Sequence, residues 1–249
     1  MNAFEYTQFI LPNSYAAVSA MMQNERIYAT DGIECKIHTF VSDGTAVDTL
    51  CTLRPYRRLR TYRTTEMMTA LGCCNQNRVY FIDENFLERG FVELDSSCST
   101  EQNCGCGCGC NCAINGDVYS CGEDGLIDAS LTCIDNQAYI VGVFPKTACL
   151  FDMNGKRVTR ICQADCGEIL TDFINPRQDL FAFSSLKGNI RTVTVSENGI
   201  SQSAILGKGH TLRMLIYSEN NEIHGLFGNN YIYNRMIPIY RNGILVLPQ

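Results

Sequence analysis

The sequence predicts an all-β protein built from a degenerate repeat, and three observations carry that prediction. Five segments begin with an Asn/Gly-rich turn and continue into a short β-prone run. A pair of apolar, hairpin-like segments precedes each, and a further strand-like segment follows. Regular spacing of such units marks arrays rather than isolated hairpins.

The turn-led segments are NERIYATD from Asn24, NQNRVYFID from Asn75, DNQAYIVGV from Asp135, KGNIRTVTV from Lys187 and GNNYIYNRM from Gly228. Their matching positions are Tyr28, Tyr80, Tyr139, Arg191 and Tyr233, spaced 52, 59, 52 and 42 residues apart. The preceding pairs are EYTQFIL with YAAVSAM, RLRTYR with MMTALG, DVYSC with LIDASLTC, EILTDFI with DLFAFSS, and TLRMLIY with EIHGLFG. Turn chemistry such as PNS, GEDG, NPRQ and SENN joins them. The following strands are ECKIHTFV, RGFVEL, ACLFDM, ISQSAIL and IPIYRNGILVL.

Four strands recurring five times in units of roughly 40 residues resemble the blades of a β-propeller, in which radial repetition limits exposed sheet edges. The resemblance spans nearly the whole chain. It implies a single-domain five-bladed β-propeller over 1–249, with blades near 4–43, 57–95, 117–155, 168–206 and 211–247 and a Cys/Gly-rich connector at 96–116 between blades 2 and 3. It is a resemblance to the architecture and to no specific family: the chain has no Trp, so no Trp-Asp pair can close a blade. A β-sandwich or two small β domains are the alternative arrangements.

Composition agrees with a globular chain: 249 residues, 45% hydrophobic and 18% charged, enough to bury a sizeable core. The net charge of -6 disfavours general nucleic-acid or anionic-membrane binding, which depends on neutralising phosphates. No stretch approaches the roughly 18 apolar residues of a membrane span. The first residues carry Glu5 and no basic n-region, a poor match to a secretion signal. The expectation is therefore a cytoplasmic protein whose 15 cysteines are reduced thiols or metal ligands.

The run CGCGCGCNC at 104–112 carries the strongest chemical signal. On a flat strand, thiols two residues apart stand about 6.5–7 Å from each other, too far for one tetrahedral ion. Gly105, Gly107 and Gly109 let the backbone coil and turn the sulfurs inward. Cys98, Cys104, Cys106, Cys108, Cys110 and Cys112 are thus candidate ligands for Zn, Cu(I) or an iron-sulfur cluster, and Cys162 and Cys166 are possible additional thiols. In the propeller frame, Cys73, Cys74 and Cys133 fall by turns, and Cys51, Cys98, the run, Cys162 and Cys166 in connectors that open on the same face. An inert low-complexity loop and an oxidative cross-linking tract are the competing readings.

A second cluster is LRPYRRLRTYR at 53–63, where Arg54, Arg57, Arg58, Arg60 and Arg63 interleave with Tyr56 and Tyr62. Arginine forks beside aromatic faces suit an anion, and the bland alternative is a solvated strand face. No HExxH, GxSxG or Walker A motif occurs, and His38, His210 and His224 are scattered, so no catalytic residue is assigned. Asp31 and Asp83 read as turn residues, and the repeated tyrosines as core. The sequence points to a non-enzymatic binding module with a protein partner and a cysteine-rich, metal-ligating connector. A cross-linked shell protein and an enzyme with a site in a central channel are the alternatives.

Overall fold

The computed structural model of the chain describes residues 19–23, 26–30, 34–41, 45–61, 67–72, 77–95, 125–165, 167–177, 179–185, 189–196, 199–205, 212–218, 222–227, 235–241 and 244–245. The described residues form twenty strands in five four-stranded antiparallel sheets, each made of strands consecutive in sequence.

The first sheet contains β1 (Ser19–Gln23), β2 (Arg26–Thr30), β3 (Lys36–Val41) and β4 (Ala46–Cys51); the second contains β5 (Tyr56–Thr61), β6 (Met68–Gly72), β7 (Arg78–Ile82) and β8 (Glu88–Glu93). The third holds β9 (Asp128–Ile134), β10 (Gln137–Val143), β11 (Thr147–Phe151) and β12 (Arg157–Gln163). The fourth holds β13 (Leu170–Arg177), β14 (Leu180–Ser185), β15 (Ile190–Ser196) and β16 (Gly199–Ile205), and the fifth β17 (Leu212–Ser218), β18 (Glu222–Phe227), β19 (Arg235–Arg241) and β20 (Ile244–Leu245).

Sheets two and four use the segments that the sequence nominated. Sheets one and three begin one segment later and gain a fourth strand from stretches read as connectors, namely β4 and β12. Both are edge strands with weak apolar signals: β4 (AVDTLC) is exposed along most of its length, and β12 (RVTRICQ) mixes two arginines and two uncharged polar residues with its apolar ones. Edges tolerate such polarity because one side lacks a partner strand. In the fifth sheet, IPIYRNGILVL is two strands: β19 and β20 pair antiparallel, Tyr240 opposite Leu245 and Arg241 opposite Ile244.

The chain divides into two compact units. One contains β1–β8 with Ala129–Leu131, and the other contains the remaining strands. The core of the first gathers Ile37, Tyr56, Leu59, Met68, Ala70, Tyr80 and Ile82, with Tyr28, Leu50 and Phe86 packed against it. Tyr56 and Leu59 are three residues apart on β5, yet both are buried. A register shift between Tyr56 and Arg58 resets the strand's alternation. The core of the second runs through Val141, Leu150, Ile161, Phe173, Phe181, Phe183 and Val193, joining the third and fourth sheets, with Tyr139 against it.

Turn chemistry accounts for the hairpins. Asp135 and Asn136 both take positive φ, 50° and 62°, between β9 and β10, the geometry that suits the twist of paired strands. Asp83 and Asp152 begin matching turns, β7–β8 and β11–β12. Each Oδ1 accepts amide protons from the residues two and four positions on, Asn85 and Leu87 or Asn154 and Lys156, at 2.9 Å. Asp83 is the turn residue the sequence indicated, while Asp31 lies outside the described residues.

Candidate functional site

The arginine cluster enters the first unit through β5. Arg54, just before that strand, forks onto Glu88 of β8: Nε reaches Oε2 at 2.9 Å and Nη2 reaches Oε1 at 3.1 Å. Its Nη1 donates to the Tyr80 hydroxyl at 3.2 Å, and the guanidinium lies 4.4 Å above the Tyr80 ring. The buried Tyr56 hydroxyl donates to Glu88 Oε2 at 2.7 Å. Burial, with the bond to Glu88, raises the Tyr56 phenol well above its ordinary pKa, so it stays a neutral donor. Gly72 leaves room for this stack, since a Cβ there would meet Tyr80 Cε2 at 3.3 Å. The Arg54 charge is thus matched inside the protein. Arg57 Nε donates to the Gly72 carbonyl at 3.0 Å. Arg58 and Arg60 are half-buried on β5, and Arg63 lies outside the described residues.

A second charged network sits where the chain passes from the third to the fourth sheet. Glu168 is 2% exposed. Its Oε1 accepts from Ser185 Oγ at 3.0 Å and from Asn189 Nδ2, and its Oε2 accepts from Arg191 Nη2 at 3.2 Å. Arg191, whose side chain is 12% exposed, also pairs with Asp165. Lys146 Nζ donates to the Glu168 carbonyl at 2.6 Å, while Lys146 and Pro145 carbonyls accept from Ala164 and Leu170. One residue, Glu168, therefore ties the β10–β11 turn through its main-chain carbonyl and β14–β15 through its carboxylate. Buried charge is tolerated because nearly every lone pair and proton is matched; among the described residues, Arg191 Nε alone in this group lacks a partner.

Motif reading missed this network. Its trace was in the repeat: Arg191 stands where the other four units carry tyrosine. Glu88 and Glu168 left no comparable mark, because their partners are 32 to 34 and 17 to 23 residues away in sequence.

Cys133 is the penultimate residue of β9, beside the Asp135-Asn136 turn as expected, whereas Cys51 and Cys162 lie at the ends of β4 and β12 rather than in connectors. Cys162 is buried in the second unit's core, and burial pushes its thiol up to about 12. There it behaves as a small apolar side chain. Cys149 is disulfide-bonded, so the reading of all cysteines as reduced thiols or ligands does not extend to it. Cys35 and Cys51 are exposed free thiols. Cys98, Cys104, Cys106, Cys108, Cys110, Cys112 and Cys166 lie outside the described residues, as does His210. Among the described residues, no group of three or more His, Cys, Asp or Glu is placed to hold a metal ion.

Apolar side chains face outward instead. Val47 on β4, Phe91 on β8 and Val158 on β12 are 46%, 50% and 53% exposed, and Ile200 on β16 and Leu53 beside Arg54 are also exposed. Arg78 stacks 4.8 Å from the Phe91 ring, and Tyr80 lies 5.9 Å behind it.

No family model and no curated protein matches the sequence. Among solved structures, the chain is similar to the β-propeller domain of Cps50 (Swd1) from Myceliophteria thermophila, at 11% identity and a TM-score of 0.58, over 92% of this chain and 72% of that one. It is also similar to the WD40 β-propeller domain of Doa1, at 12% identity and a TM-score of 0.53, over 88% of this chain and 67% of that one. These likenesses and the succession of four-stranded antiparallel sheets identify the architecture: the chain has a β-propeller fold.

Proposed function

We propose that the chain is a protein-interaction module that docks a partner through apolar side chains on its edge strands. The observation that carries this reading is the exposure of Val47, Phe91 and Val158 on the fourth strands of their sheets. Large apolar groups held on rigid strands give binding energy with little ordering cost. Phe91 also has the hot-spot pairing of an aromatic ring with a stacked arginine, Arg78. The charged networks of Glu88 and Glu168 serve the scaffold in this reading.

The connector at 96–116 adds a second component, ligation of a soft ion by Cys98, Cys104, Cys106, Cys108, Cys110 and Cys112. Its support is the chemistry of the run itself. The buried Cys162 is not part of this donor set.

Two experiments test the components separately. Affinity capture is compared between the wild-type chain and a Leu53→Glu/Phe91→Glu variant with unchanged melting temperature. A partner bound by the first and lost by the second is the expected result, and equal capture removes the edge-strand reading. Elemental analysis with thiol counting on anaerobically purified protein is expected to find a stoichiometric soft metal that disappears when the five cysteines of 104–112 become serine. Fully titratable thiols without metal would remove the connector from the function.

A further inference from the structure

The fourth sheet ends in an edge strand unlike those of the other sheets. Its strands run β13–β14–β15–β16, and β13 lies against β17 of the same unit, so among the described residues β16 is the edge left open. An open edge presents unpaired N–H and C=O groups, and proteins blunt such edges with charge, bulges or short length. The other fourth strands carry these devices. β20 has two residues. β12 carries Arg157 and Arg160 with two register shifts, and β8 carries Glu88, Arg89 and Glu93 with one. β4 also has a register shift, and its Thr49 amide is taken up by the Asp48 carboxylate at 2.7 Å. In β16, by contrast, GISQSAI holds no charge and no proline. It pairs with β15 in unbroken register from Ile190 opposite Ile205 to Ser196 opposite Gly199.

The residue types of β16 are also nearly symmetric about Gln202. Laid antiparallel on a second copy of itself about that residue, the strand sets Gln202 opposite Gln202 and Ser201 opposite Ser203. Ile200 then stands opposite Ala204, and Gly199 opposite Ile205. Polar positions meet polar ones, apolar positions meet apolar ones, and no like charges are opposed. The same operation on β8 sets Glu88 against Glu93, and on β12 it sets Arg160 against Arg160. Like charges directly opposite one another destabilise a strand pair, so those edges reject their own copies.

We propose that β16 is a self-association strand: two copies of this chain pair through it, antiparallel about Gln202, and join their fourth sheets into one continuous sheet. The two-fold relation makes the contact isologous and closed, so it stops at the dimer. Main-chain hydrogen bonds supply the affinity, and the symmetry of residue types about Gln202 sets the register. A single strand pair covers little surface, which makes the dimer weak and reversible. This inference does not rest on docking through Val47, Phe91 and Val158, and it stands or falls separately from that reading.

The test is sedimentation velocity on the full chain under reductant, with hydrogen exchange at the same concentrations. A dimer is expected at about 100 µM that dissociates towards about 1 µM, with slower amide exchange across 199–205 at the higher concentration and no change in β4, β8 or β12. Gln202→Lys and Gln202→Glu, each checked for an unchanged melting temperature, should weaken dimerisation roughly tenfold or more, because like charges then meet on the two-fold axis. Mixing the two variants should restore the dimer as a heterodimer. The wild-type exchange pattern tests the proposal even if a variant fails to fold. A monomer at about 100 µM overturns it: 199–205 amides already protected there would mean that another segment of the chain covers the edge, and unprotected ones would leave the edge to a foreign strand. A dimer that both folded variants retain, or whose protection falls outside 199–205, also overturns it.

Discussion

Glu168 shows how much one side chain organises. Its carboxylate accepts from Ser185, Asn189 and Arg191 and is almost fully enclosed, so removing it orphans the Ser185 and Asn189 donors and leaves the mostly buried Arg191 guanidinium with Asp165 as its remaining carboxylate. Glu168→Ala is expected to cost about 3–5 kcal/mol, the penalty for breaking a buried pair, and Glu168→Gln less, since it retains an acceptor. Urea denaturation of the three proteins checks the order, and equal stabilities would show that the network is not structural. Gly142 is constrained by space: a Cβ there would lie 2.8 Å from Leu94 Cδ1 and 2.9 Å from Phe151 Cε2. Gly142→Ala should therefore destabilise by about 1–3 kcal/mol through overpacking, measurable as a lower denaturation midpoint. None of this was legible in the sequence, where Gly142 and Glu168 are single letters without a motif.

The Asp83 and Asp152 turns behave as one element used twice, with an informative difference. The position before the last turn residue is Gly155 in one, at φ 84°, and Phe86 in the other, at φ 61°. A left-handed Phe is costly, by about 1–2 kcal/mol, and its ring lies 4.7 Å from that of Tyr28 in the same unit. Phe86→Gly relieves the backbone and loses that contact, together with burial against the core, worth about 1.5–3 kcal/mol in full. We expect net destabilisation of about 1 kcal/mol, and a more stable variant would show that strain outweighs the ring contact. The Leu87 amide holds the Asp83 carboxyl below its ordinary value, and the ion pair with Arg89 adds to the effect. A depressed folded pKa stabilises above the unfolded value of 3.8, and the stabilisation is lost as pH falls through the folded value. The stability difference between wild type and Asp83→Asn should thus be constant from about pH 8 to 5 and shrink below about pH 3.

At the scale of the molecule, the two compact units each have their own core, and the sequence was read as one domain. A single propeller domain predicts one cooperative unfolding transition, with near- and far-ultraviolet circular dichroism coincident in urea. Two separated transitions would assign the units independent stability. The outward apolar residues predict that Leu53→Glu/Phe91→Glu leaves this transition within about 0.5 kcal/mol of wild type, because exposed positions contribute little to folding.

By itself the sequence determined the all-strand class, the propeller architecture, the strands of the second and fourth sheets, and the turn roles of Asp83, Asp135 and Asn136. These are local matters: alternation, β-branching and turn chemistry act over a few residues and leave a readable pattern. Tertiary structure decided which strands close each sheet, because β4 and β12 are edges whose stability comes from a partner rather than from their own apolar content. It also decided that Arg54 serves Glu88 and that Cys162 is core. Each of these depends on contacts made across 15 to 34 residues or more of chain, and on the phase of a ladder that a single bulge resets.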